Sequence, residues 1–151
     1  MTKFLKDINL KGKVAVVTGA TKGIGRSTAI AMHQVGAFII AIGRNTDELA
    51  SLKTRLKTRI QCIECDVSDY EKINREINKI KKIDILVNNA GTNIPEPFLK
   101  VKKKSLETLL NVNTKAAFNM AKLCTDKMLK HKNRKKIGGS IIHTSSMFGL
   151  V

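Results

Sequence analysis

Short apolar runs rich in β-branched residues alternate along the chain with stretches of helical spacing. Val14 to Thr18 is the first run, and a glycine-rich turn follows it. From Ile24 to Val35 the apolar residues recur at helical intervals, with Ile24, Ala31, Met32 and Val35 near one face. Gly36 fits the stop of that helix, and Phe38 to Ile42 predicts a second strand. A second helix opens at Thr46, Asp47 and Glu48, where the dipole favours negative charge, and Leu49, Leu52 and Leu56 form its stripe. Ile60 to Cys65 reads as a third strand. Ser68, with Glu71 three residues on, makes a capping box for a helix lined by Ile73, Ile77 and Ile80. Ile83 to Val87 predicts a fourth strand, and a loop with Pro95 and Pro97 follows. A long helix then runs from Ser105 to Lys130, with Leu109, Val112, Ala116, Met120 and Leu123 among its apolar positions. Gly138 and Gly139 interrupt the chain before a fifth strand, Ser140 to Thr144.

Strands alternating with helices imply right-handed βαβ units and a parallel sheet. Near-continuous apolar strands fit a sheet covered on both faces. The expectation is a single α/β domain over residues 1–151, a doubly wound parallel sheet of about five strands in three αβα layers. A hydrophobic share of 42% with 26% charged residues supports a folded core over disorder. No apolar run approaches the ~20 residues of a membrane span. Met1 to Leu10 lacks the apolar centre of a signal peptide, so a cytoplasmic protein with no membrane partner is expected.

The net charge of +16 raises the question of a nucleic-acid partner. The basic residues are mostly lysines spread along the chain, densest at Lys100 to Lys104 and Lys130 to Lys136. Aromatics for base stacking make up only 4%, and no zinc-finger or RNA-recognition pattern occurs. The charge therefore reads as solvated helix faces and ends, and no nucleic-acid partner is expected. Cys62 and Cys65 form a C-x-x-C on a predicted strand, where their side chains diverge. No second pair completes a metal site, and no metal is expected.

The segment with most chemistry is Thr18-Gly19-Ala20-Thr21-Lys22-Gly23-Ile24-Gly25, between the first strand and the first helix. Glycines there let the backbone bend, approach a pyrophosphate and pack the helix on the sheet. The helix start offers N–H groups and a partial positive charge. At the end of the second strand, an acid would bond the ribose 2′-hydroxyl of NAD, whereas an arginine accommodates the extra phosphate of NADP. Arg44 stands at that position and Lys22 adds a second cation. NADP(H) is favoured, with NAD(H) possible. The plain alternative is a structural glycine turn with surface cations.

Further segments complete a pattern: Gly12-Lys13-Val14 before the turn, Asp66-Val67 after strand three, Asn88-Asn89-Ala90-Gly91 after strand four, Val112-Asn113 in the long helix, and Ser146-x-x-Gly149 after strand five. Together they resemble the short-chain dehydrogenase/reductase family over essentially the whole chain. The resemblance implies a Rossmann-type sheet of order 3-2-1-4-5 and a carbonyl–hydroxyl oxidoreductase acting on a small-molecule substrate. It gives Asp66 the adenine amino group, with the Val67 backbone beside it. Asn88 to Gly91 (Asn88, Asn89, Ala90 and Gly91) would brace the central sheet and contact the cofactor ribose. Asn113 would hold a water in a proton relay, and Ser146 would hydrogen-bond the substrate oxygen, with Ser145 a competitor. A homo-oligomer, dimer or tetramer, is implied through the long helix.

The family's general acid/base is a tyrosine in a Tyr-x-x-x-Lys motif beyond the serine segment. The chain as written ends at Val151, and its one tyrosine is Tyr70, at a helix start near the adenine side. A positioned acid/base contributes about 10²–10⁴-fold, so these residues alone are expected to turn over little, as a truncated gene product would. His143 reads as a core or strand histidine, and His33 and His131 as helix residues without a catalytic partner. Gly91-Thr92-Asn93-Ile94-Pro95-Glu96-Pro97 resembles family members acting on small ketones, sugar acids or 3-oxoacyl thioesters. The alternatives are a non-catalytic dinucleotide-binding module and, behind it, a nucleic-acid-binding protein.

Overall fold

A computed structural model describes residues 7–130 and 138–146. Gly149, His131 and the basic run from 131 to 136 lie outside them. Five strands form one parallel sheet: β1 (Val14–Thr18), β2 (Phe38–Gly43), β3 (Ile60–Glu64), β4 (Ile85–Asn88) and β5 (Ser140–His143). Their order across the sheet is β3-β2-β1-β4-β5, as the resemblance implied. The helices are α1 (Gly23–Gln34), α2 (Thr46–Leu56), α3 (Tyr70–Lys79), α4 (Lys103–Leu110) and α5 (Ala117–Leu129). Among the described residues no helix is long and apolar enough to cross a membrane.

Alternation along the strands feeds two cores. Val16, Ile40, Ile42, Ile63 and Leu86 face one way and pack with Ile73 and Ile77 of α3 and with Met120, Cys124 and Met128 of α5. Ala15, Val17, Ile39, Ala41 and Val87 face the other way, against Ala29 of α1 and Leu49, Leu52 and Leu56 of α2. The second layer is richer in alanine, so α1 lies close to the sheet. Cys62 packs with this layer and Cys65 with the first, so the two thiols leave the chain on opposite sides. Burial pushes the Cys65 thiol up to about 11 and the Cys124 thiol up to about 12, which leaves both as inert packing groups.

Local signals shift in four places. The expected stripe of α1 included Ile24, yet Ile24 is 67% exposed, and Gly25 and Ala29 face the core instead. The glycine turn packs so tightly that only a residue without a side chain fits inward, which turns Ile24 outward. The third helix is capped by Asp69, which accepts from the Lys72 N–H at 3.0 Å. Ser68, the expected cap, donates its hydroxyl to Asp66 at 2.7 Å. The fourth strand begins at Ile85 and not Ile83, because Asp84 turns its side chain back to the start of β1. The long helix starts at Lys103, before Ser105, and a π-helical turn over Asn111–Ala116 interrupts it.

Asp84 joins β4 to β1 at the edge opposite the glycine turn. It is 4% exposed, its Oδ2 accepts from the Val14 N–H at 2.9 Å, and Lys82 lies 3.2 Å away. Asp84→Ala removes the acceptor and leaves a strand N–H poorly satisfied, at a cost of about 1–3 kcal/mol. A urea titration should show a lower midpoint with an unchanged slope.

Candidate functional site

All five strands are parallel, so their C-terminal ends meet at one edge of the sheet. The order reverses between β1 and β4, the switch point at which open α/β sheets take their ligands. Thr18 ends β1 at this point and is 1% exposed. Its hydroxyl accepts from the N–H groups of Asn89 and Ala90, both at 3.0 Å, and donates to the Val87 carbonyl at 3.4 Å. One donor and two acceptors are thus all used. The side chain continues the β1–β4 pairing past the last ladder contact, Val17 with Val87.

The glycine turn is packed on its inner side and open on its outer side. Gly19 has φ +64° and a Cβ there would meet the Asn89 amide at 2.9 Å. A Cβ on Gly25 would run into the same amide and into the Gly19 carbonyl oxygen. Gly23 has φ +56° and nothing within 4 Å. Lys22, exposed, precedes α1, and no side chain caps that helix nor does its first turn carry an acid. By contrast, Asn45 and Asp69 cap α2 and α3, whose first turns hold Asp47, Glu48 and Glu71. An uncapped helix start beside an open glycine backbone fits a phosphate group.

Asn89, expected only as part of the Asn88 to Gly91 brace, holds this turn together with two residues given no role from the sequence, Gly43 and Arg26. Asn89 donates its amide to the carbonyls of Thr18 at 3.2 Å and Gly19 at 3.4 Å. Gly43 faces Thr21 so closely that a Cβ would overlap the threonine methyl, and the Ala20 N–H bonds the Ile42 carbonyl at 3.1 Å. Arg26 spans from the turn to α2: it donates to the Thr21 carbonyl at 3.4 Å, the Glu48 carbonyl at 2.9 Å and Ser51 Oγ at 2.9 Å. Its salt bridge to Glu48 measures 3.4 Å. Asn89 was within reach, inside Asn88-Asn89-Ala90-Gly91. Arg26 carried no signal, because its partners on α2, Glu48 and Ser51, lie more than twenty positions away.

Arg44 and Asp66 end adjacent strands and pair at 3.3 Å. The other Asp66 oxygen accepts from the Ser68 N–H at 2.9 Å and from its hydroxyl. Partial burial pushes the Asp66 carboxyl up, but the Ser68 hydrogen bonds and the Arg44 guanidinium outweigh it and hold the group below the usual carboxylate range. A value lowered in the folded state makes these contacts stabilising above about pH 4 and lost as pH falls through the lowered value. Val67 beside it is buried in the core.

Asn88 is 6% exposed, donates to the Ala117 carbonyl at 3.0 Å and faces His143 Nδ1 at 3.4 Å. His143 is thus a strand histidine at the exposed edge, not a core one. Asn113 sits within the π-helical turn, a feature frequent at functional sites. Its amide bonds the Thr92 backbone in both senses, accepting at 2.8 Å and donating at 2.9 Å. This pins the loop after Gly91 to the long helix, and Gly91 lies against the Asn113 oxygen. The Thr144 N–H bonds the Asn88 carbonyl at 2.9 Å, which sets Ser145 and Ser146 at the same strand-end edge.

Gly25→Ala places a methyl against the Asn89 amide and the Gly19 carbonyl. Overpacking of this kind costs about 1–3 kcal/mol. The variant should melt lower and lose nucleotide binding in a calorimetric titration; Gly23→Ser meets open space but still costs about 1–2 kcal/mol, because its φ of +56° strains any side chain.

A family model described as short chain dehydrogenase matches residues 13–151. L-xylulose reductase of Mus musculus is 34% identical over 140 residues, 93% of this chain and 55% of that protein. Carbonyl reductase (NADPH) 2 of Sus scrofa is 34% identical over the same shares. The 3-oxoacyl-(acyl-carrier-protein) reductase FabG of Thermotoga maritima is 32% identical over 150 residues, 95% of this chain and 59% of that protein. Among solved structures, a protein from Sinorhizobium meliloti 1021 classed as a short-chain alcohol dehydrogenase superposes with a TM-score of 0.83 at 31% identity, over 95% of this chain and 57% of that one. The chain spans little more than half the length of these relatives. With the family model matching from residue 13 to the end and the strand order in agreement, this chain belongs to the short-chain dehydrogenase family.

Proposed function

We propose that the chain forms the cofactor-binding part of an NADP(H)-preferring oxidoreductase that interconverts a carbonyl and a hydroxyl. The observation that carries this reading is the glycine turn: closed by Asn89 on one side, open at Gly23, and set on an uncapped helix start beside Lys22. Thr18, Gly19, Thr21, Lys22, Gly23, Ile24 and Gly25 would hold the pyrophosphate. Arg44 would take the 2′-phosphate, and Asp66 and Val67 the adenine. Asn88, Ala90 and Gly91 would flank the ribose. The bound nicotinamide supplies or accepts the hydride. Ser146 would orient the substrate oxygen, and Asn113 would keep the π-helical turn open for a water of the proton relay.

Residues 1–151 contain no Tyr-x-x-x-Lys, and Tyr70 opens α3 on the adenine side of the sheet. The reading therefore assigns these residues binding and orientation, and not the proton transfer itself. The similarity to L-xylulose, carbonyl and 3-oxoacyl thioester reductases favours a small ketone, sugar or 3-oxoacyl thioester substrate. Exposed Leu106, Leu110 and Phe118 on the long helix support assembly with a second copy. The residues form one nucleotide-binding domain, and a cytoplasmic setting suits a dehydrogenase that uses a diffusible cofactor.

Arg44→Ala should weaken NADPH binding by about ten- to a hundredfold, the worth of a hydrogen bond to a charged group, with NADH binding little changed. Calorimetric titration of the intact protein reads this directly, and equal losses for both nucleotides would refute the preference. In the same protein Ser146→Ala should lower turnover of a ketone by about 10²–10³-fold without weakening NADPH. Cofactor binding with no turnover by the intact wild type would instead favour a non-catalytic module.

A further inference from the structure

Arg44 and Asp66 are both assigned to the cofactor, yet in the structure they bind each other. The β2–β3 register ends at Gly43 with Glu64, and the Cys65 N–H continues it to the Gly43 carbonyl at 2.8 Å. Arg44 and Asp66 are thereby set at neighbouring strand ends, on the side of β2 away from the glycine turn. The carboxylate is the fixed member of the pair. Its Oδ1 is held by the Ser68 N–H and hydroxyl, which leaves Oδ2 for the guanidinium. The arginine is the movable member. Its side chain is 74% exposed and reaches Asp66 through Nη1 alone, at 3.3 Å.

We propose that Asp66 is a positioning residue for nucleotide selectivity: it holds the Arg44 guanidinium as an internal ligand, which the 2′-phosphate of the cofactor displaces. The proposal rests on the NADP(H) reading of Arg44. A single contact from an exposed arginine is weak and screened by solvent, so the exchange is easy. A phosphate offers several oxygens to the planar guanidinium and can take it bidentately. The 2′-hydroxyl of NAD offers no such charge, so with NAD the arginine stays on Asp66. Selectivity is then a difference between two contacts of one arginine, and the acid just past β3 tempers a preference that Arg44 and Lys22 would otherwise set higher.

The test is a double-mutant cycle on the intact protein, with dissociation constants for NADPH and NADH measured for wild type, Asp66→Asn, Arg44→Ala and the double variant. Asparagine keeps its one oxygen for Ser68 and turns a donor amide toward the arginine, and any contact to adenine lost with the second oxygen is common to NADPH and NADH and cancels in their ratio. Asp66→Asn should raise the ratio of NADPH to NADH affinity by about two- to fivefold, the range of an exposed ion pair, and do nothing to that ratio in the Arg44→Ala background. Asp66→Glu, which keeps the charge, should hold the wild-type ratio. An equal rise with and without Arg44 means direct repulsion between carboxylate and phosphate, and overturns the exchange. So does an unchanged or lowered ratio in a protein that binds NADPH. If the wild type binds no NADPH, the NADP(H) reading fails first and the exchange with it.

Discussion

A parallel sheet whose strand order reverses must leave a gap where consecutive connections depart to opposite faces. In this protein the edge of that gap is built on the hydroxyl of Thr18. It ties the end of β1 to the first residues beyond β4 through two accepted bonds and to β4 itself through one donated bond. Asn89, whose backbone it captures, in turn holds the glycine turn by its side chain. Without this splice the turn and the Asn88 to Gly91 segment would be two independent loops. A valine of the same shape would fill the space and leave the Asn89 and Ala90 N–H groups unpaired, a costly state for buried groups.

The two layers around the sheet serve different ends. Ala15, Ala37 and Ala41 let α1 come close on one face, which brings its uncapped start against the switch point. The opposite face is filled by larger side chains from α3 and by Met120, Cys124 and Met128 of α5. That packing holds the long helix in register while its π-helical turn departs from ideal geometry at Asn113. The widened turn is secured by two bonds to the Thr92 backbone, which form only because β4 delivers that loop across it.

Electrostatics near the site is local despite the +16 charge of the chain. Arg26 is spent on Glu48, Ser51 and the glycine turn, and Arg44 on Asp66. Lys22 stands exposed at the start of α1, whose dipole has the same sign. The field at this site is therefore set by a few oriented groups more than by the lysines on the helix faces. Those lysines act at long range, where salt screens them within about 10 Å.

The sequence by itself determined the alternation of strands and helices, the parallel sheet and the position of the glycine turn. These rest on local causes: side-chain periodicity, β-branched runs, and glycines at backbone angles that other residues avoid. It also placed Arg44, Asp66, Asn88 and Ser146 at strand ends, because the end of an apolar run can be read directly. Tertiary structure alone decided what those residues touch. The Thr18 hydroxyl finds its partners 71 and 72 positions along the chain, and Arg26 finds Ser51 25 positions away. It turned Ile24 outward and opened the helix at Asn113. In each case a contact between distant segments outweighed a local preference worth about 1 kcal/mol or less.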